Sequence, residues 1–228
     1  MKNAKDKIVS LLLIIVTIVS LFTLSSCNRK YDEEEIIEVS KILLKDAEML
    51  NIVYYGSGIK YFDDEDEKGY YRKADVNHLE ELGFTTIDEL RKITEKTFSV
   101  GYSAELYSTI LSSLATDISI ISPARYYQAY DEETGAPTHI MVYSNFTPML
   151  KDSITYDYDS LRVEGSKKEK VYVKIDATVT NADGKSQSTT VTVALVEEDN
   201  GWRIDNPTYA NYNEYKDRYD ELNNKDLK

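Results

Sequence analysis

The clearest pattern along the chain is the strict alternation in "EKVYVKIDATVT". Val171, Val173, Ile175, Ala177 and Val179 fall on one side, and Tyr172, Lys174, Asp176, Thr178 and Thr180 on the other. Successive side chains of a strand point to opposite faces, so this segment predicts a β-strand with one covered face. "NADGK" turns the chain, "SQSTTVTVALVEE" runs back, Asn200-Gly201 turns it again, and "WRID" begins a last short strand before Pro207. The result is an antiparallel meander. Ahead of it, "RYYQAY" and "THIMVYS" flank "DEETGAP" as a hairpin with a longer loop, and "SITYDYDSLRV" reads as a further strand.

Upstream of Pro123 the period is helical. Ile36, Leu43, Ala47 and Leu50 recur on one face, widened by Ile37 and Leu44, after a start marked by Asp32 and Glu35. This predicts a helix over 33–53. Val76 to Leu82 reads as a short helix stopped by Gly83, and Thr86 with Glu89 forms a capping box opening a helix through Thr97. Residues 99–114 read as one more, with Leu106, Ile110 and Leu114 on one face. "YYGSGIKYF" is expected to be a turn or bent strand, and "DDEDEKG" a polar exposed run. Near the end, Tyr212, Tyr215, Tyr219 and Leu222 follow helical steps, and that stripe is expected to dock on the body. Helices first and strands afterwards predict an α+β fold, with N-terminal helices packed on a curved antiparallel sheet and a short C-terminal helix.

The first 26 residues belong to neither pattern. Lys2, Lys5 and Lys7 precede an apolar run from Ile8 to Leu24, the layout of a signal peptide. Leu24-Ser25-Ser26-Cys27 follows, and it resembles the lipobox of bacterial lipoproteins, in which the cysteine is acylated and becomes the first mature residue. That resemblance implies a signal peptide over 1–26, a lipidated tether over 27–32 and a single α+β domain over 33–228. It also implies a lipid anchor on Cys27 and a place on the extracytoplasmic face of the cell membrane. The alternative is an uncleaved anchor with an inert cysteine.

Charge narrows the partners. Loss of Lys2, Lys5, Lys7 and Asp6 with the signal peptide takes the formal charge from −13 to −15. Nucleic-acid binding rests on lysine and arginine neutralising phosphates, so nucleic acid is excluded as a partner. Acidity steers the protein instead toward a basic cell-envelope protein, with a small ligand as the other expected partner. Cys27 is the single cysteine and has none to pair with, so stability must come from a packed core. The 19 tyrosines against 5 phenylalanines and 1 tryptophan predict half-covered sheet surfaces with wet hydroxyls.

The order of elements, with "GWRIDNPTY" closing the sheet, resembles the nuclear transport factor 2-like superfamily, in which a curved sheet wraps a long helix. More faintly, "TTIDELRKITEKTFS" and "SVGYSAELY" ahead of the sheet look like bacterial inhibitors of the cell-wall DL-endopeptidases. Enzymes of the superfamily use acid and base residues lining the cone. Here that resemblance points to Asp157, Asp159 and Asp176, against a plain solvated role for the same residues.

Other chemistry is sparse. "SGIK" at Ser57 to Lys60 has the S-x-x-K spacing of penicillin-binding proteins and β-lactamases, and "YSN" at Tyr143 to Asn145 resembles their second motif. The nucleophile there must open a helix, Gly58 argues for a turn, and no K-T-G triplet is present. "DDEDEKGYYRKAD" fits a calcium-loop template through Asp64, Asp66 and Asp75, but Lys68 takes a ligand position. With His78 and His139 as the two histidines, a three-histidine zinc site is impossible. No cofactor and no catalytic residue are expected. The expected function is a non-catalytic binding module, with Tyr126, Tyr143, Tyr156, Tyr158 and Tyr172 as ligand-binding residues. The alternatives are inhibition of a cell-wall hydrolase through the acidic run Asp63 to Glu67, and a small cone-fold enzyme.

Overall fold

The structure is a computed structural model. It describes residues 31–62, 69–112, 114–115, 120–198 and 201–209, with the side chains of 109, 114–115 and 120–122 left out. The chain divides into two compact units, Met1–Ile36 and Ile37–Lys228. In the first, the Asp32 carboxylate accepts from the Glu34 amide at 2.9 Å and the Asp32 carbonyl from the Ile36 amide at 3.0 Å, an N-cap that opens a helix.

The helices are α1 (Glu33–Tyr54), α2 (Val76–Leu82), α3 (Ile87–Thr97) and α4 (Val100–Ile110). Of the strands, β1 (Tyr71–Lys73) lies between α1 and α2, and β2 (Leu114–Ala115) and β3 (Ile120–Ser122) follow α4. Then come β4 (Tyr126–Tyr130), β5 (Pro137–Tyr143), β6 (Ser153–Lys167), β7 (Lys170–Thr180), β8 (Ser186–Glu198) and β9 (Gly201–Ile204). The fold is α+β, as the sequence predicts. Its strands form two main antiparallel sheets, β1-β5-β4 and β6-β7-β8-β9, beside the small β2-β3 pair.

The apolar stripe of α1 buries Leu43, Leu44, Ala47, Leu50, Val53 and Tyr54. Each fully covered leucine contributes roughly 1.5–3 kcal/mol relative to exposure. In the four-stranded sheet Val171, Val173, Ile175, Ala177 and Val179 of β7 join Val191, Val193 and Leu195 of β8 on the covered face. The capping box is formed: the Thr86 hydroxyl accepts from the Glu89 amide at 3.2 Å, and Glu89 accepts from the Thr86 amide at 3.2 Å. Gly83 ends α2 in the left-handed conformation, at φ 82°.

The structure corrects one expectation and adds two features that the sequence does not predict. The helix read over 99–114 stops at Ile110, and Leu114 belongs to β2. β1, which pairs Tyr71 with Tyr143 and Lys73 with Met141, has no counterpart in the sequence reading. "SITYDYDSLRV" is part of a 15-residue strand whose register shifts between Asp157 and Arg162 and again between Val163 and Gly165. The first shift changes the covered parity, from Tyr156 before it to Leu161 after it, and such irregularities bend a sheet. The C-terminal helix, the signal peptide and Cys27 lie outside the described residues.

Candidate functional site

The five tyrosines do not converge on one surface. Tyr126 is core: its hydroxyl donates to the Val53 carbonyl at 2.7 Å and accepts from the Ile59 amide at 3.2 Å, and burial pushes its pKa up to about 12. Tyr172 stands half-buried on the outer face of the four-stranded sheet. That face is laced with ion pairs, Arg162 to Asp176 at 3.2 Å and Lys174 to Glu164. Asp157 and Asp176 oppose each other in the β6-β7 register on this side. Hydrogen bonds from Thr190 and Arg162 hold Asp176 below the usual carboxylate range. These are charges satisfied at a solvated surface.

Tyr143 belongs to an aromatic face on the outer side of the three-stranded sheet. Cross-strand pairing brings Tyr71 beside it, with ring centroids 5.5 Å apart, and Tyr127 lies 4.8 Å from Tyr71 in a T-shaped contact. Tyr70 meets Tyr143 at 6.2 Å. A register shift between Gln128 and Tyr130 pairs Tyr127 with Met141 and Tyr130 with Pro137, so two tyrosines three places apart share one face. Tyr70, Tyr127 and Tyr130 are 65%, 42% and 58% exposed.

Tyr156 and Tyr158 point to a different place. Tyr156 donates to the Thr208 carbonyl at 2.6 Å, and the buried Asn51 amide donates to the Thr208 hydroxyl at 2.8 Å. Together they tie Thr208 to α1 and β6 beside a cavity of about 460 Å³. Ile52, Leu150, Ile154 and the ring of Tyr209 give it apolar walls, while Glu48, Ser57, Lys151 and Asp152 supply the polar groups. The volume lies in the range of small-molecule sites. Tyr158 sits at the first register shift of β6, and its hydroxyl donates to Glu48 Oε2 at 2.9 Å. Burial raises the Glu48 pKa; the Tyr158 bond and the Lys45 ammonium oppose that shift. Tyr209 donates to the Asp152 carbonyl.

Sequence reasoning missed the cavity residues. One signal was present: Asn51 falls four residues after Ala47, a polar side chain inside the apolar stripe of α1, which requires a buried partner. Ser57 occupies the turn after α1, so the geometry of the S-x-x-K motif is not met. Of the calcium-loop candidates, Asp64 and Asp66 lie outside the described residues, and Asp75 caps α2 by accepting from the Asn77 amide at 3.0 Å. Among the described residues no group of three His, Cys, Asp or Glu side chains is placed to hold a metal ion. No described helix is long and apolar enough to cross a membrane. The chain matches no family model and no curated protein sequence.

Proposed function

We propose that the protein is a lipid-anchored, extracytoplasmic binding module that takes a small ligand into the cavity between the C-terminal end of α1 and the start of β6. The observation carrying this reading is the cavity itself, about 460 Å³ with apolar walls and a few convergent polar groups. The lipobox at Leu24 to Cys27 supports the anchored location. The test is native mass spectrometry of the full chain purified from its own membranes, beside a Ser57→Trp variant that fills the cavity mouth from an exposed turn. A small molecule retained by the wild type and lost from the variant is expected; wild type without any bound molecule would sink the proposal.

A second reading, inhibition of a cell-wall hydrolase, is favoured by one observation. The face carrying Tyr70, Tyr127, Tyr130 and Tyr143 exposes aromatic rings of the kind that anchor protein interfaces. Mixing the protein with wall endopeptidases separates the two. Slowed hydrolysis that Tyr127→Ala relieves supports inhibition, and unchanged rates remove it.

A further inference from the structure

Resting on the cavity reading, we infer that its ligand is a small cation: a primary or secondary ammonium on a compact apolar body, held by the Glu48 carboxylate. Apolar walls from Ile52, Leu150, Ile154 and Tyr209 suit an uncharged body of a few carbons. Glu48 sets the polar end. Its Oε2 is already fixed by the Tyr158 hydroxyl at 2.9 Å, which orients the carboxylate and leaves Oε1 to accept from a ligand N–H. Asp152 lines the same cavity and adds a second negative charge. Lys45, which is not a lining residue, also acts on Glu48, with its ammonium 5.7 Å from the Tyr158 ring centroid, so a ligand ammonium would share this carboxylate with it.

Lys151, the cation among the lining residues, belongs to an exposed position and leaves the two carboxylates in the majority. Burial acts in the same direction. Burial disfavours the charged form of Glu48 by more than the Tyr158 hydrogen bond and the nearby Lys45 ammonium offset, which is why its pKa is raised. A bound ammonium relieves that cost, and a neutral or anionic ligand does not.

The experiment titrates the purified full chain, labelled at isoleucine and leucine methyl groups, with three probes of one shape: 2-phenylethylamine, 2-phenylethanol and phenylacetate. Shifts at Ile52, Leu150 and Ile154 report occupancy. The amine is expected to bind at least tenfold tighter than the alcohol, with phenylacetate weakest. Glu48→Gln should abolish that preference, bringing amine and alcohol to the same affinity, and Glu48→Asp should restore part of it. Equal binding of amine and alcohol, or a preference that survives Glu48→Gln, overturns the cationic assignment and leaves the cavity reading standing. Silence of the cavity methyls toward all three probes overturns both.

Discussion

Arg125 shows how one buried side chain fixes a segment that sequence reasoning leaves ambiguous. It is 3% exposed, and its guanidinium donates to the Tyr54 and Gly56 carbonyls, both at 2.8 Å, closing the end of α1. Phe146 covers its other side, 3.8 Å from ring centroid to guanidinium carbon. "YYGSG" therefore wraps an arginine, and Gly58, at φ 79°, passes where a Cβ would strike the guanidinium and the Tyr126 hydroxyl. Gly58→Ala combines that clash with a left-handed backbone and is expected to cost about 2 kcal/mol or more in chemical denaturation. Arg125→Lys keeps the charge but loses the planar fork, so a loss of about 2 kcal/mol is expected in the same measurement. Glu48 behaves oppositely. A carboxylate whose pKa rises on folding is best tolerated below its unfolded value, and its contribution is lost as pH climbs through the folded pKa. Glu48→Gln should therefore melt at or above the wild-type temperature at neutral pH, with the difference vanishing in acid.

At the level of elements, what was legible is what is local. The α1 stripe, the α2 stop at Gly83, the α3 capping box and the β7 alternation are each written in residues a few places apart, and each is present. β1 is three residues following an acidic run, and it is a strand because β5 lies beside it, a long-range fact with no local signature. Likewise Tyr158 reaches Glu48 across 110 residues of chain, a pairing that no local period reveals in advance. The five candidate tyrosines share a residue type but no local signal for the face each takes, and tertiary pairing sends them to the core, to outer faces and beside the cavity. Capping offers a quantitative check. Thr86→Ala should cost about 1 kcal/mol in urea denaturation. Hydrogen bonds from Thr85 and Thr86 hold Glu89 below its ordinary pKa, so its contribution is present above the usual glutamate value and lost as pH falls through the folded one. The gap in stability between wild type and a Glu89→Gln variant should accordingly narrow in acid.

For the molecule as a whole, anchoring and folding are expected to be separable. Two acyl chains, at about 0.8 kcal/mol per buried methylene, hold a protein where one chain holds it marginally. Cys27→Ala should abolish incorporation of labelled fatty acid and leave an unprocessed chain, with the melting behaviour of residues 33–228 unchanged. Wild-type protein that carries no label would make the run from Ile8 to Leu24 a plain anchor instead. Within Ile37–Lys228, Asp205 is one of the points that join helical and sheet segments: it takes both the Ser99 hydroxyl and the Lys170 ammonium, while the Ser99 amide donates to the Ile204 carbonyl at 2.8 Å.

The irregular strands have a consequence for life in a crowded layer. A sheet ends in strands whose free amides and carbonyls invite a neighbouring molecule to add its own. Here β9 is four residues long and abuts the α3–α4 junction through Phe98, while β4 shifts register and is met by the Ile87 amide through Gln128. β1 is three residues long and flanked by the Phe62 amide, which donates to the Lys73 carbonyl at 3.1 Å. That leaves β6, the longest outer strand, and it is the one broken twice. Among the described strands of the two main sheets, no outer edge offers a long straight template, which disfavours edge-to-edge pairing between molecules held close together.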